Sequence, residues 1–210
     1  MAQMATPRVR VVATKSRAPQ ALRRLIAVAM ELERRTMQLY CQYEGRFAEP
    51  EEVRAFWFDM AEHESRHYGA LAMVAGLLEC APQRTLAAAP TVSPAHIERL
   101  RRLLTRAETE ARGPITLARA LETALEIESS EVEDLVLELL RILKGERERE
   151  RAVRSLIHDL GDLSYMIEKF SPNRPLLSKA DLLIEQRVTR LRVAGRGPLV
   201  HGAPRNARRS

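Results

Sequence analysis

Ala29-Met30-Glu31-Leu32-Glu33 returns as Ala124-Leu125-Glu126-Ile127-Glu128, 95 positions further on. Glu64 stands 31 residues after Glu33, with His67 three beyond it, and Asp159 stands 31 residues after Glu128, with Asp162 three beyond it. One offset therefore relates Glu33 to Glu128, Glu64 to Asp159 and His67 to Asp162. A repeat that brings acids back to matching places on apolar, helix-forming stretches predicts two helical hairpins that contribute ligands to a shared site. That is the pattern of a carboxylate-bridged metal centre inside a four-helix bundle.

Outward from the repeat, the helices are marked by their periodicity. Leu22, Ile26, Ala29, Glu33, Thr36, Tyr40 and Tyr43 step by fours and threes, so a helix over about 19–47 carries Glu33 on a single inward seam. A second helix begins near Pro50, where Glu51 and Glu52 suit a helix N-terminus, and its seam is Trp57, Met60, Glu64, His67, Leu71, Val74 and Leu78. Residues 81–114 form a long connection with a helix of its own, capped by Ser93-Pro94 and ended by Gly113-Pro114. It is long enough to cross the bundle. The third helix is expected over about 116–144, with Leu117, Leu121, Ala124, Glu128, Glu131, Leu135 and Ile142 along one side and Gly145 as its stop. On the fourth, about 146–170, the apolar stripe of Val153, Leu156, Leu160, Leu163, Ile167 and Phe170 is centred roughly 60° from Asp159. Asp159 is thus expected at the stripe's edge and Asp162 further out. A shorter helix over about 176–192 offers Leu177, Ala180, Ile184, Val188 and Leu191 to the outside of the bundle or to a second subunit.

Composition bounds the reading. The chain has 210 residues, 45% of them hydrophobic and 4% aromatic, which suffices for one core and favours helix, so a single all-α domain is expected over 19–192. The net charge of +6 is unevenly spread: Arg8, Arg10, Lys15 and Arg17 lie near one end and seven arginines lie from 187 onward, with no acid in either stretch. The body is net acidic. The basic tails, 1–18 and 193–210, contain Pro or Gly without helical periodicity, which predicts disordered arms able to touch nucleic acid or a protein partner. Cys41 and Cys80 are too few for a disulfide framework or for paired CxxC iron knuckles. Charges interrupt every hydrophobic stretch well before about 18 residues, and no signal-like segment opens the chain, so a soluble, cytoplasmic protein without a membrane span is expected.

The acids carry the chemistry. A carboxylate in an apolar seam costs several kcal/mol unless it is paired or coordinated, and no Lys or Arg shares the seams of Glu33, Glu64, Glu128 and Glu131. Glutamates with an imidazole, placed at i and i+3 on a helical face, suit divalent iron or manganese. Glu31 and Glu126 lie off the seams and are expected to reach water. A second reading overlaps the first, because His63-Glu64-Ser65-Arg66-His67 is a literal HExxH, the zinc-peptidase signature. A helical wheel centred on Glu64 puts His63 about 100° round, at the margin of the stripe, whereas a peptidase needs both histidines on the metal side.

On these residues the chain resembles the ferritin-like superfamily and, within it, the rubrerythrin branch: Ala29-Met30-Glu31-Leu32-Glu33 with Tyr40 seven residues on, Glu64 with His67, and Glu128 with Glu131 are similar to that branch's first three helix motifs. The likeness covers about 21–170. It implies a ferritin-like four-helix bundle with a long crossover connection and, here, an extra C-terminal helix. It also implies a di-iron or di-manganese centre used for peroxide reduction, for ferroxidase chemistry with O2 or for iron handling, usually in a dimer or larger homo-oligomer. Glu33, Glu64, His67, Glu128 and Glu131 match the family's ligand positions. The fourth helix departs, with Asp159 and Asp162 where the family has Glu and His, so a weaker second metal site is expected. His158 is the imidazole nearest that corner. Without a rubredoxin-type module, an oxidoreductase of this kind needs a separate electron donor. The alternative in another class is a ferritin-like scaffold with a degenerate metal site.

Overall fold

The seam read along the first helix is buried throughout, from Leu22 through Glu33 to Tyr43. The computed structural model describes residues 17–80, 93–130, 137 and 145–195. Its helices are α1 (Arg17–Arg46), α2 (Glu51–Cys80), α3 (Pro94–Arg112), α4 (Leu117–Glu128), α5 (Glu146–Phe170) and α6 (Arg174–Gly195). Among the described residues there is no strand, and the fold is an all-α bundle. No helix among them is long and apolar enough to cross a membrane.

α1 and α2 form an antiparallel hairpin. At its open end Leu22, Ile26 and Ala29 pack with Leu71, Val74 and Leu78, and Arg23 donates to the Leu78 carbonyl at 3.1 Å. At its closed end Tyr43 and Trp57 meet with ring centroids 4.8 Å apart. α5 runs antiparallel to α2, tied by Lys169 to Glu52 at 2.6 Å and by the approach of Asp159 to His63. α4 joins through Ala120, Leu121, Ala124 and Leu125, which share one core cluster with Tyr40, Trp57, Leu163 and Ile167. Burying each Leu or Ile contributes about 1.5–3 kcal/mol, so the two apolar ends of the hairpin offset the cost of acids held between them.

The connecting helix α3 lies along α1 and reaches α4. Ser93 caps it, its side chain accepting from Ala95 N at 3.3 Å, and Pro94 opens its first turn. α3 holds both copies of the repeat at their outer acids: Arg101 pairs with Glu31 at 2.6 Å and Arg106 with Glu126 at 2.7 Å. The two off-seam glutamates are therefore surface ion pairs. Arg35 adds a two-pronged bond to Glu108, at 2.8 and 3.1 Å. α6 folds back on α5, where Ser164 donates to Asp181 at 2.8 Å.

Three boundaries differ from the sequence reading. α1 begins at Arg17 and α6 extends to Gly195, so each helix runs slightly into a tail, and the rest of both basic arms lies outside the described residues. The third helix, expected to run unbroken to 144, is interrupted after Glu128 at Ser129-Ser130, with Leu137 helical again beyond. The Ser129 hydroxyl donates to the Glu126 carbonyl at 3.1 Å, a local bond that competes with the helical ladder. The break makes Glu128 the last residue of α4, and Glu131 lies outside the described residues.

Candidate metal centre

Glu33 comes from the middle of α1, and Glu64 and His67 come from one turn of the facing α2. These positions lie between the two apolar ends of the hairpin, where the seams oblige the acids to point inward. Nδ1 of His67 lies 3.5 Å from Oε2 of Glu33 and 3.8 Å from Oε2 of Glu64. Glu128 closes α4, and its Oε1 accepts a hydrogen bond from the Tyr40 hydroxyl at 2.9 Å. Glu33 is 2% exposed, and Glu64 and Glu128 are 1% exposed each, so none is a solvated helix carboxylate. Tyr40 is fully buried, stacked beside Trp57 at 5.6 Å, which fixes the ring that holds Glu128.

The electrostatics follow from that crowding. Burial, and next the facing charge of Glu33, hold the Glu64 carboxyl well above its ordinary value of 4.5. Among the described residues, the charged neighbours acting on Glu64 are Glu33 and His67, with no lysine or arginine among them. Burial, then the neighbouring His67 and Arg66, push the His63 imidazole down to about 3, so its ring is neutral at ordinary pH. Burial pushes Asp159 up to about 6, against the opposing effect of His158.

His63 is the main departure from the wheel argument. It is 3% exposed, not marginal, because α2 is covered by α5 as well as by α1 and buries a wide face around its first three turns. The His63 and His67 ring centroids are 4.2 Å apart, and ligand atoms of His63, Glu64 and His67 all lie within 4.8 Å of one another. The helical-wheel objection to HExxH therefore falls. What opposes a peptidase is access, since all three groups are at most 5% exposed and a peptide bond cannot reach them. Nδ1 of His63 lies 3.1 Å from Oδ2 of Asp159 but off the direction of a hydrogen bond.

The structure thus brings Glu33, Glu64 and His67 together, with His63 beside them and Asp159, 18% exposed, behind His63. Glu128 is buried under Tyr40 at the end of α4. Asp162 is 55% exposed and faces His158, with 3.2 Å between Oδ2 and Nδ1. The signal that would have placed His63 inside was the HExxH match itself, read without the wheel.

No protein-family model, no curated protein and no solved structure matches the chain. The chemistry of the cluster must therefore be judged from its own donors. Oε1 of Glu64 is buried without a hydrogen-bond partner among the described residues, a cost that a coordinated cation removes. Carboxylate oxygens with one or two neutral imidazoles suit divalent iron or manganese, and the buried His63-Glu64-His67 group can hold a metal ion.

Proposed function

We propose that the chain is a ferritin-like metal protein whose buried carboxylate and histidine cluster holds iron or manganese and works on O2 or peroxide or in iron handling. Glu33, Glu64, His67 and Glu128 would be the ligands, with Asp159 at the edge and Glu131 belonging to the same set by the sequence repeat. Asp162, turned outward, stands apart from them. The observation that carries the reading is the burial of Glu33 and Glu64 against each other on the facing helices of a hairpin, which a fold without a bound cation has no reason to keep. The matching place of Glu128 in the repeat adds to it.

When bound, a metal pair would supply Lewis acidity and one-electron redox capacity toward O2 or peroxide. The chain's own part is to prepare that place. Glu64 keeps a proton in the metal-free state and gives it up on binding. Tyr40 orients Glu128 through its 2.9 Å bond, as outer-shell donors orient metal ligands. The apolar rings of Tyr43, Phe56 and Trp57 cover one end of the site and exclude water. A homodimer and a separate electron donor belong to this proposal.

Protein purified without chelator should contain iron or manganese. His67→Ala should lower that content more than His63→Ala, because His67 also lies against Glu33. The second reading, a zinc site at HExxH, is favoured by the shared burial of His63 and His67. Zinc as the bound metal, equal loss in both variants and cleavage of a casein-like substrate would establish it in place of the first.

A further inference from the structure

Outside the buried cluster, α5 carries a second group of metal-ligating side chains that reaches the surface. Nδ1 of His158 lies 3.2 Å from Oδ2 of Asp162 and 3.9 Å from Oδ1 of Asp159. The other oxygen of Asp159, Oδ2, lies 3.1 Å from Nδ1 of His63. That nitrogen is buried and has no hydrogen-bond partner among the described residues, and the His63 ring stands 4.2 Å from His67. Side-chain exposure falls along this line from 75% at His158 and 55% at Asp162, through 18% at Asp159, to 3% at His63. Ligands at about 2.1 Å from an octahedral ion sit about 3 Å from one another, so the His158–Asp162 and Asp159–His63 separations are those of ligand pairs, with the outward oxygen of Asp159 a short step from His158.

We propose that His158, Asp162 and Asp159 form an uptake route for divalent cations: the surface pair docks a hydrated ion, and Asp159 passes it from its outward oxygen to its inward one, beside His63. From there His67, Glu33 and Glu64 follow within contact distance. The route rests on the metal-centre reading and adds how that centre is filled. An exposed pair of ligands holds an ion weakly, which suits transit, and at each step the next ligand is in reach before the last is released. A buried site closed by apolar side chains needs such a series, because a bare ion cannot cross hydrocarbon. Arg66 lies close enough to act on Asp159 and is held by Glu62 at 2.9 Å, so its charge opposes a cation on this path. Its replacement supplies a test of opposite sign.

The test uses the full chain and Co(II) under anaerobic conditions, with uptake followed by stopped-flow visible absorbance and final content by metal analysis. His158→Ala with Asp162→Asn, both at exposed positions, should slow uptake about tenfold or more while leaving the final content unchanged. Arg66→Gln should speed it. An unchanged rate in the double variant overturns the route. A lowered final content also overturns it, because these groups would then be ligands of the centre itself. Wild-type protein that takes up no Co(II) fails differently, removing the metal-centre reading together with the route.

Discussion

Glu64→Gln should stabilise the metal-free protein near neutral pH, against the usual effect of altering a fully buried polar side chain. Glutamine keeps the shape of the residue but has nothing to ionise. Burial and the facing Glu33 hold the Glu64 carboxyl well above 4.5, so above that pH folding favours a proton on it that the unfolded chain releases. Each pH unit between the unfolded and the folded value costs about 1.4 kcal/mol. The sign follows from linkage. A folded value that is raised gives stability fully present below about pH 4.5 and lost as pH climbs toward the folded value. Urea unfolding of chelator-treated protein should therefore give the two proteins similar stability near pH 4.5 and the variant an advantage that grows as pH rises above it, by at most about 1.4 kcal/mol per pH unit. With Fe(II) or Mn(II) added the order should reverse, since binding stabilises only the protein that keeps the ligand. A variant less stable than wild type near pH 7 without metal would mean that the carboxylate serves the fold, and the reasoning would be wrong.

Tyr40→Phe removes one hydroxyl and the 2.9 Å bond to a buried carboxylate, so stability should fall by about 1.5–3 kcal/mol and Tm by several degrees; a loss under about 0.5 kcal/mol would show that the bond contributes little. Metal affinity should rise with pH, about tenfold per unit for each proton displaced, and calorimetry in two buffers of different ionisation enthalpy should count at least one proton released, with no release contradicting a protonated Glu64. Within the repeated motif the two acids should part: Glu31→Ala, losing a surface pair with Arg101, should cost no more than about 1 kcal/mol and leave metal content unchanged, whereas Glu33→Ala should lower that content.

The α1 and α2 seams were legible in the sequence residue by residue, because a strict step of fours and threes leaves only one way to bury Leu22 through Tyr43 and Trp57 through Leu78. The Ser93-Pro94 cap of α3 was equally plain. The break after Glu128 was not, since the apolar period continues through it and only the local bond of Ser129 to Glu126 interrupts the ladder. His63 was misplaced because a wheel treats a helix as having one neighbour, while α2 has two, and α5 covers what α1 leaves open. The offset between the α5 stripe and its acids was readable, and it leaves Asp159 partly buried with Asp162 outside it. The pairing of His158 with Asp162 depends on side-chain rotamers that no periodicity encodes.

We propose above all that the cluster of Glu33, Glu64 and His67, with Glu128 from the other copy of the repeat, binds a divalent metal. Anaerobic titration with Fe(II) tests it most directly, comparing wild type with the double variant Glu33→Ala, Glu128→Ala at equal, verified helicity. The account predicts one tight equivalent in wild type, a second held much more weakly where Asp159 stands in place of a longer ligand, and no tight binding in the double variant. Tight Fe(II) binding that survives in the double variant, or none in wild type, would contradict it.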